Sequence, residues 1–235
     1  DEGEFVRESR LTYPEFDKHY HVVDYGPDDP RNDKLTMVMR ARNFVPGNDW
    51  SVYLILDPGT IRPAVLWVAI PPEDFWYGNN PYYVPYRELT GRLDARQIAL
   101  RVKEMDPGRV YSAWVIDHKG GDQTSMGDAH RVEDKYASAF SAVGLKNDLT
   151  GSRFIPSEHN WVLRSMALRR TMMPVGDDAP RPQLRIVSHK CPELIRQIGR
   201  NMRHVSKDDV QDKQASGQVK DLLDCVEYFA GSRPV

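Results

Sequence analysis

Two apolar runs that are rich in β-forming residues each end in an aspartate, and this feature constrains the fold more than any other. Residues 50–56 lead directly into Asp57, which opens the sequence Asp-Pro-Gly, and residues 110–116 lead into Asp117. In open α/β sheets, binding sites lie in the crevice beyond the ends of the strands. If the two runs form neighbouring strands, we therefore expect both carboxylates to project into one crevice.

The remaining pattern predicts a mixed sheet with helices packed against it. Apolar alternation and continuous apolar runs predict further strands at residues 34–43, 64–70, 82–89 and 184–187. Helical periodicity with capping and stop signals covers residues 95–105, 130–143, 160–172, 192–202 and 219–230. Residues 118–121 are interpreted as a flexible loop beside Asp117, and Trp161, Met166 and Met172 are assigned to the core.

The domain organisation follows from composition. With 40% hydrophobic and 28% charged residues, the chain resembles an ordinary globular protein that is long enough to bury a sizeable core. Residues 1–33 are polar and rich in turn formers, so we assign them to a linker or peripheral segment and residues 34–235 to the folded domain. The chain begins at Asp1 without a methionine, which favours a piece of a longer or processed protein, with a trimmed tag as the alternative.

Several classes of protein are disfavoured by what the sequence lacks. No apolar run approaches the roughly 20 residues that a membrane span needs, and the two cysteines are too few for a disulfide scaffold, which favours a reducing compartment. The sequence has no phosphate-binding Gly-x-x-x-x-Gly-Lys-Ser/Thr loop, no zinc-ligand spacing and no Gly-x-Ser-x-Gly elbow. Residues 57–60 also resemble the phosphate loop of actin-like kinases, but the second acidic glycine turn that such kinases need is missing.

Charge is unevenly distributed along the chain. Residues 1–60 contain 7 Lys/Arg and 12 Asp/Glu, whereas residues 151–207 contain 11 Lys/Arg and 4 Asp/Glu, a net charge of +7. A basic stretch of this kind forms either one face for a polyanion or a solvated surface that nearby acids balance. Composition alone favours the second interpretation.

The acidic positions allow a metal site. Asp221 and Asp224 lie three residues apart on the last predicted helix, and therefore on one face of it. Two unit charges 4 Å apart repel by about 4 kcal/mol at an effective dielectric constant near 20, so a cluster of carboxylates stays ionised when divalent cations bind it. Carboxylate oxygens suit Mg²⁺ or Mn²⁺, and two such ions roughly 4 Å apart support phosphodiester cleavage. Taken singly, each of these acids is better explained as a turn, cap or surface residue, and only their joint placement favours the metal site equally.

Several short motifs, in their order and spacing, resemble the nuclease domain of tailed-phage terminase large subunits. The similarity spans residues 11–230. Its motifs are Thr12–Asp17 with residues 21–23, Asp57-Pro58-Gly59 with residues 64–70, Val115-Ile116-Asp117, Arg185–Val187 with Cys191–Ile195, and Asp221–Tyr228. Each motif is short and degenerate, so their common order carries the resemblance.

The resemblance implies an α/β fold of the ribonuclease H-like class, in which helices pack on a mixed, five-stranded-type central sheet. It implies a Mg²⁺- or Mn²⁺-dependent endonuclease, with two ions, that cuts concatemeric viral DNA during packaging into a procapsid. The implied partners are double-stranded DNA, the terminase small subunit, the portal and an N-terminal ATPase domain of the same full-length chain. The implied location is the host cytoplasm, with no membrane association.

The resemblance also implies roles for individual acids. Asp57 is expected to bridge two metal ions, Asp117 to be a ligand, and Asp221 or Asp224 to be the third. Lys220 stands before Asp221, where His-Asp is frequent in the family, and Cys225 replaces the usual alanine, so the third ligand stays open. We slightly prefer Asp221 as the third catalytic residue, with Asp224 assisting at the metal or capping the helix.

The basic stretch then gains a use in binding the DNA backbone, which requires phosphate neutralisation but no base-specific contact. The candidate residues are Lys119, Arg153, Arg164, Arg169, Arg170, Lys190, Arg196 and Arg200. Three alternatives remain open from the sequence: another nuclease on the same fold such as a junction resolvase, a non-catalytic DNA-binding or assembly module, and an actin-like phosphotransferase.

Overall fold

The computed structural model describes residues 12–24, 33–59, 61–122, 131–175, 181–200, 203–204, 213–214 and 219–232. Its strands are β1 (Val22–Val23), β2 (Ser51–Asp57), β3 (Ala64–Ile70), β4 (Val84–Thr90), β5 (Ala113–Ile116), β6 (Ile155–Pro156), β7 (Pro174–Val175), β8 (Arg181–Pro182), β9 (Ile186–Val187), β10 (Arg203–His204) and β11 (Lys213–Gln214). Its helices are α1 (Lys18–His21), α2 (Lys34–Met39), α3 (Ala95–Met105), α4 (His118–Asp122), α5 (Val132–Ala142), α6 (Trp161–Met172), α7 (Pro192–Arg200) and α8 (Asp221–Ser232), with a 3-10 turn at Glu73–Phe75. No helix of the described ranges is both long and apolar enough to cross a membrane.

The central sheet has five strands in the order β4-β3-β2-β5-β6. Strands β2, β3 and β4 form an antiparallel meander, whereas β5 and β6 run parallel to β2. The connection between β2 and β3, residues 58–63, is too short for a parallel crossover, and the helical connections after β4 and β5 allow the parallel pairs. This mixed sheet confirms the predicted α/β class with a five-stranded central sheet and helices packed on it.

Alternation along β2 and β5 decides which face each aspartate joins. Tyr53 and Ile55 of β2 and Val115 of β5 belong to one apolar core, while the residues between them belong to the core on the opposite face. Because side chains alternate across a strand, Asp57 continues the face of Ile55, and Asp117 continues the face of Val115. Both carboxylates therefore point toward the same layer of helices.

Helices cover both faces of the sheet. Buried residues of α2, α3 and α5 belong to the core on the face of Leu54 and Leu56, and buried residues of α6, α7 and α8 form a second layer over the core of Tyr53, Ile55 and Val115. The second layer is fixed by buried caps: the Gln197 side-chain oxygen accepts hydrogen bonds from the backbone N–H groups of Leu222 and Leu223, both at 3.0 Å. These bonds satisfy donors that a helix start leaves unpaired, so they hold the first turn of α8 in place.

The segment before residue 33 joins this layer where the structure describes it. Strand β1 pairs in parallel with β9, with Val22 opposite Ile186. Tyr13 is 1% exposed, and its hydroxyl donates a hydrogen bond to Glu227 of α8. Residues 12–24 therefore pack into the folded domain, although the sequence predicts that this domain begins at residue 34.

Three local predictions are wrong. Residues 34–43 do not form a strand: Asp33 caps helix α2 by accepting the Thr36 N–H at 2.8 Å, and the apolar pair Leu35 and Met39 satisfies helical as well as strand spacing. Residues 118–121 lie in the short helix α4 rather than in a loop. Two of the three residues assigned to the core on α6, Trp161 and Met166, are 39% and 47% exposed, since the helix turns other positions inward.

Candidate functional site

The ends of β2 and β5 place Asp57 and Asp117 side by side. Leu56 is paired with Ile116 in the parallel ladder, and the Asp117 N–H donates to the Leu56 carbonyl at 3.2 Å. Asp57 accepts the Gly59 N–H at 3.2 Å, and Asp117 accepts the Gly120 N–H at 2.7 Å. The structure therefore brings together the two acids that the sequence placed at one crevice.

Helix α8 supplies the third side of the site. The Cys225 thiol donates to the carbonyl of Ala64 at 3.7 Å, and Ala64 is the residue opposite Asp57 in the β2–β3 ladder. The first turn of α8, with Asp221 and Asp224, therefore lies beside Asp57. Four aspartates from three distant segments of the chain meet at one end of the sheet.

The pKa of Asp57 is shifted by the other acids that lie close to it. Burial, and then the negative charges of Asp224, Asp117 and Asp221, raise the pKa of Asp57 to about 8. Both effects disfavour the charged carboxylate. Without a counter-ion, the central acid of the cluster is thus held largely protonated at neutral pH.

Cations of the chain itself lie against the three outer acids. Lys220 Nζ is 3.0 Å from Asp224 Oδ1, Arg164 Nη1 is 3.8 Å from Asp117 Oδ1, and Arg62 Nε is 3.9 Å from Asp221 Oδ2. No group of three or more His, Cys, Asp or Glu side chains among the described residues is arranged as it stands to hold a metal ion. A metal ion would therefore compete with Lys220 and Arg62 for the carboxylates of Asp224 and Asp221.

Asp221 and Asp224 differ in burial. The Asp224 side chain is 11% exposed and the Asp221 side chain 27%, and burial is the largest cause that raises the pKa of each. Both side chains start from the first turn of α8 and both interact with Asp57. The choice between them as third ligand therefore stays a proposal, as it was from the sequence.

Sequence reasoning missed a fifth acid, Glu227. It is 2% exposed and lies one turn beyond Asp224 on α8, and its pKa is raised to about 7 by burial and then by the charge of Asp224. The signal available in the sequence was the three-residue spacing that places Asp224 and Glu227 on one helix face. Its partner Tyr13 is 214 residues away, and no local pattern could have revealed that pair.

Two of the predicted DNA-binding cations lie at the acids. Lys119 is exposed on helix α4, two residues after Asp117. Arg164 is only 12% exposed at its side chain, beside Asp117 and over the ring of Tyr228, with 4.6 Å between its guanidinium carbon and the ring centre. Lys119 is available to a phosphate, whereas Arg164 is built into the site.

Three further cations lie away from the acids or are already engaged. Arg169 donates to the Thr12 carbonyl at 2.7 Å. Arg170 lines a cavity of about 310 Å³ together with Ser51, the first residue of β2, and so lies at the opposite end of that strand from Asp57. Arg153 is exposed just before β6.

The last three predicted cations surround helix α7. Lys190 is partly buried, and burial lowers the pKa of its ammonium group. Arg196 donates to Glu193 on the same helix at 2.7 Å. Arg200 is exposed at the end of α7. The structure therefore does not gather all eight predicted cations into one groove.

The chemistry of the donor set fits a hard divalent cation. The groups around Asp57 are carboxylates, and oxygen ligands of this kind suit Mg²⁺ or Mn²⁺. The neighbouring Cys225 is fully buried, and burial raises the pKa of its thiol well above the usual range. A divalent charge would relieve the repulsion that raises the pKa of Asp57.

Comparison with known proteins finds one kind of similarity. No family model matches the sequence, and no curated protein matches it. Among solved structures, the chain is similar to the nuclease domain of g2p, the large terminase of bacteriophage SPP1, which was solved with bound Mn. The identity is 10%, the alignment covers 89% of this chain and 95% of that chain, and the TM-score is 0.46.

Proposed function

We propose that this protein is a metal-dependent endonuclease that hydrolyses phosphodiester bonds of double-stranded DNA. The observation that carries the proposal is the meeting of Asp57, Asp117, Asp221 and Asp224 at one end of the sheet, where burial and then three neighbouring charges raise the pKa of the central acid to about 8. A cluster of this kind is costly for stability alone, and strongly perturbed acids cluster at functional sites.

The residues divide the chemistry among them. Asp57, Asp117 and one of the two helix aspartates would hold Mg²⁺ or Mn²⁺, which when bound lowers the pKa of a water and stabilises the leaving oxygen. The backbone N–H of Gly120 orients the Asp117 carboxylate. Lys119 binds a neighbouring phosphate and helps to place the DNA strand beside the acids.

The biological setting belongs to the same proposal. The order of the sequence motifs supports a terminase large subunit whose nuclease cuts viral DNA during genome packaging in the host cytoplasm. Its partners would be double-stranded DNA, the small subunit, the portal and an ATPase domain of the same polypeptide, with residues 1–33 leading from that ATPase domain.

A plasmid assay tests the proposed function. We expect the protein to nick and linearise supercoiled plasmid with Mn²⁺ or Mg²⁺ and to be inactive in EDTA. Asp117→Asn should remove cleavage because the isosteric amide loses the anionic ligand. Asp148→Asn is the matched control, since this exposed acid pairs through its backbone with Tyr111, before β5 and at the opposite end of that strand from Asp117. Cleavage in EDTA, or full activity of Asp117→Asn, contradicts the proposal.

The choice of DNA separates the alternatives. An endonuclease of the proposed kind cuts linear duplex as readily as a four-way junction, whereas a resolvase prefers the junction. A non-catalytic module binds duplex DNA in a mobility-shift assay but leaves the DNA uncut at every Mn²⁺ concentration. Nucleotide binding in calorimetry would instead support the phosphotransferase.

A further inference from the structure

The Arg164 guanidinium group contacts three different parts of the protein. Its Nη1 donates to the Glu158 carbonyl at 3.1 Å and lies 3.8 Å from Asp117 Oδ1. Its guanidinium carbon is 4.6 Å from the centre of the Tyr228 ring, within the range of a cation–π contact. The planar group is therefore held by a loop carbonyl, a strand-end acid and a ring of the last helix.

Helix α8 is shaped around this arginine. A β-carbon at Gly231 would come within 2.8 Å of Arg164 Cγ and 3.3 Å of Arg164 Cα. Gly231 thus leaves space for the arginine stem where helices α6 and α8 pack together.

The carboxylate of Asp117 is oriented from both sides. Its Oδ2 accepts the Gly120 N–H at 2.7 Å, and its Oδ1 faces Arg164. A β-carbon at Gly120 would approach that Oδ2 to 3.0 Å, so the backbone fits closely there. The Gly120 hydrogen bond orients the carboxylate, and the Arg164 charge 3.8 Å from Oδ1 favours that orientation electrostatically.

The other two cations at the site lack this support. The side chains of Lys220 and Arg62 are 38% and 42% exposed, against 12% for Arg164. A cation whose side chain is more than a third exposed stays in contact with water, which screens its ion pair. Arg164 is therefore the fixed cation of the site, and the two exposed cations are the ones that can move aside.

We propose that Arg164 is a positioning residue that holds the Asp117 carboxylate in the orientation required to ligate a divalent cation, rather than a contact to the DNA backbone. This inference rests on the proposed function. Groups that orient a ligating side chain in this way are typically worth about 10- to 100-fold in metal affinity or activity.

Calorimetric titration of Mn²⁺ into the DNA-free protein tests the proposal. We expect Arg164→Gln to weaken Mn²⁺ binding by about tenfold or more, and Arg164→Lys to restore part of it, because an ammonium keeps the charge without the planar fork. Arg96→Gln, an exposed change on α3 on the opposite face of the sheet, should bind Mn²⁺ as the parent does. In cleavage assays with saturating Mn²⁺, kcat should fall for Arg164→Gln while the KM for DNA stays within about twofold.

Two results overturn the proposal. One is Mn²⁺ affinity that is unchanged or tighter in folded Arg164→Gln, with folding checked by circular dichroism. The other is a raised KM for DNA at unchanged Mn²⁺ affinity, which marks a phosphate contact. If Arg164→Gln does not fold, parental Mn²⁺ affinity in Arg164→Lys overturns the proposal, and reduced affinity supports it. If the parent protein neither binds Mn²⁺ nor cuts DNA, the proposed function itself is contradicted.

Discussion

At the residue scale, Asp57 is an acid whose folded environment favours its protonated form. Its pKa rises from the usual 3.8 to about 8, because the side chain is buried among other carboxylates. The folded state therefore binds this proton more tightly than the unfolded chain does. The contribution to the free energy of unfolding is fully present below pH 4 and is lost as pH rises toward 8.

We predict that Asp57→Asn stabilises the metal-free protein at pH 8. The amide is neutral at every pH, so the variant avoids placing a charge beside three other acids. The gain should be on the order of 1 kcal/mol, or about 2–4 °C in Tm, and should vanish near pH 4. Thermal unfolding by circular dichroism at both pH values measures it, with Asp148→Asn as control. An equal or lower Tm at pH 8 contradicts the pKa assignment.

Glu227 gives a second prediction at this scale. The Tyr13 hydroxyl donates to its buried carboxyl group, so Tyr13→Phe leaves that group without this donor. We expect the free energy of unfolding to fall by about 1–3 kcal/mol. Urea denaturation measures the loss. Tyr77→Phe, which keeps the ring that contacts Arg181, should change stability by less than about 0.5 kcal/mol. Equal effects of the two variants would count against the Tyr13–Glu227 bond.

At the element scale, the start of α8 depends on one buried amide. Gln197 accepts both the Leu222 and Leu223 N–H groups, and it is 2% exposed. We predict that Gln197→Ala costs about 1–2 kcal/mol of stability and weakens Mn²⁺ binding, because Asp221 and Asp224 lie in that first turn. Gln97→Ala removes an exposed cap on α3 and should lower stability only, by a few tenths of a kcal/mol. Urea denaturation measures the loss of stability, and Mn²⁺ titration measures the loss of affinity. Unchanged Mn²⁺ affinity in Gln197→Ala would contradict the expectation that this cap positions Asp221 and Asp224.

The elements differ in how far the sequence could predict them. Strands β2 and β5 follow from their apolar runs, and their terminal aspartates follow from strand alternation once the two are neighbours. Helix α2 was mistaken for a strand because its short apolar spacing fits both periods, and only the Asp33 cap decides between them. Helix α4 contains two glycines, which the sequence read as loop, yet its Gly120 N–H is what orients Asp117.

At the scale of the whole molecule, the site is assembled from segments far apart in the chain. The strand-end acids were predictable from local patterns, whereas the placement of α8 beside them depends on packing with β2, β3 and β5. Two contacts arise only after that packing: the hydrogen bond of Tyr13 to Glu227 and the close approach of Arg164 to Gly231. Such contacts between distant segments leave no periodic signal in the sequence.

We predict that Mn²⁺ raises the Tm of the parent chain more at pH 8 than at pH 5. A bound ion stabilises the folded state by mass action, and it needs Asp57 ionised, which its raised pKa prevents at pH 5. Thermal unfolding with and without about 5 mM Mn²⁺, in buffers at pH 5 and pH 8, measures the shift in Tm. In Asp57→Asn the shift should be small at both pH values. A shift of equal size at pH 5 and pH 8 contradicts the role given to Asp57.

The most direct measurement is the initial rate of plasmid nicking by Asp57→Asn in saturating Mn²⁺, relative to Asp148→Asn. If the acids around Asp57 hold the cations that cut DNA, the rate should fall by more than about 100-fold while the variant stays folded. Nicking by folded Asp57→Asn at the rate of Asp148→Asn would contradict the account.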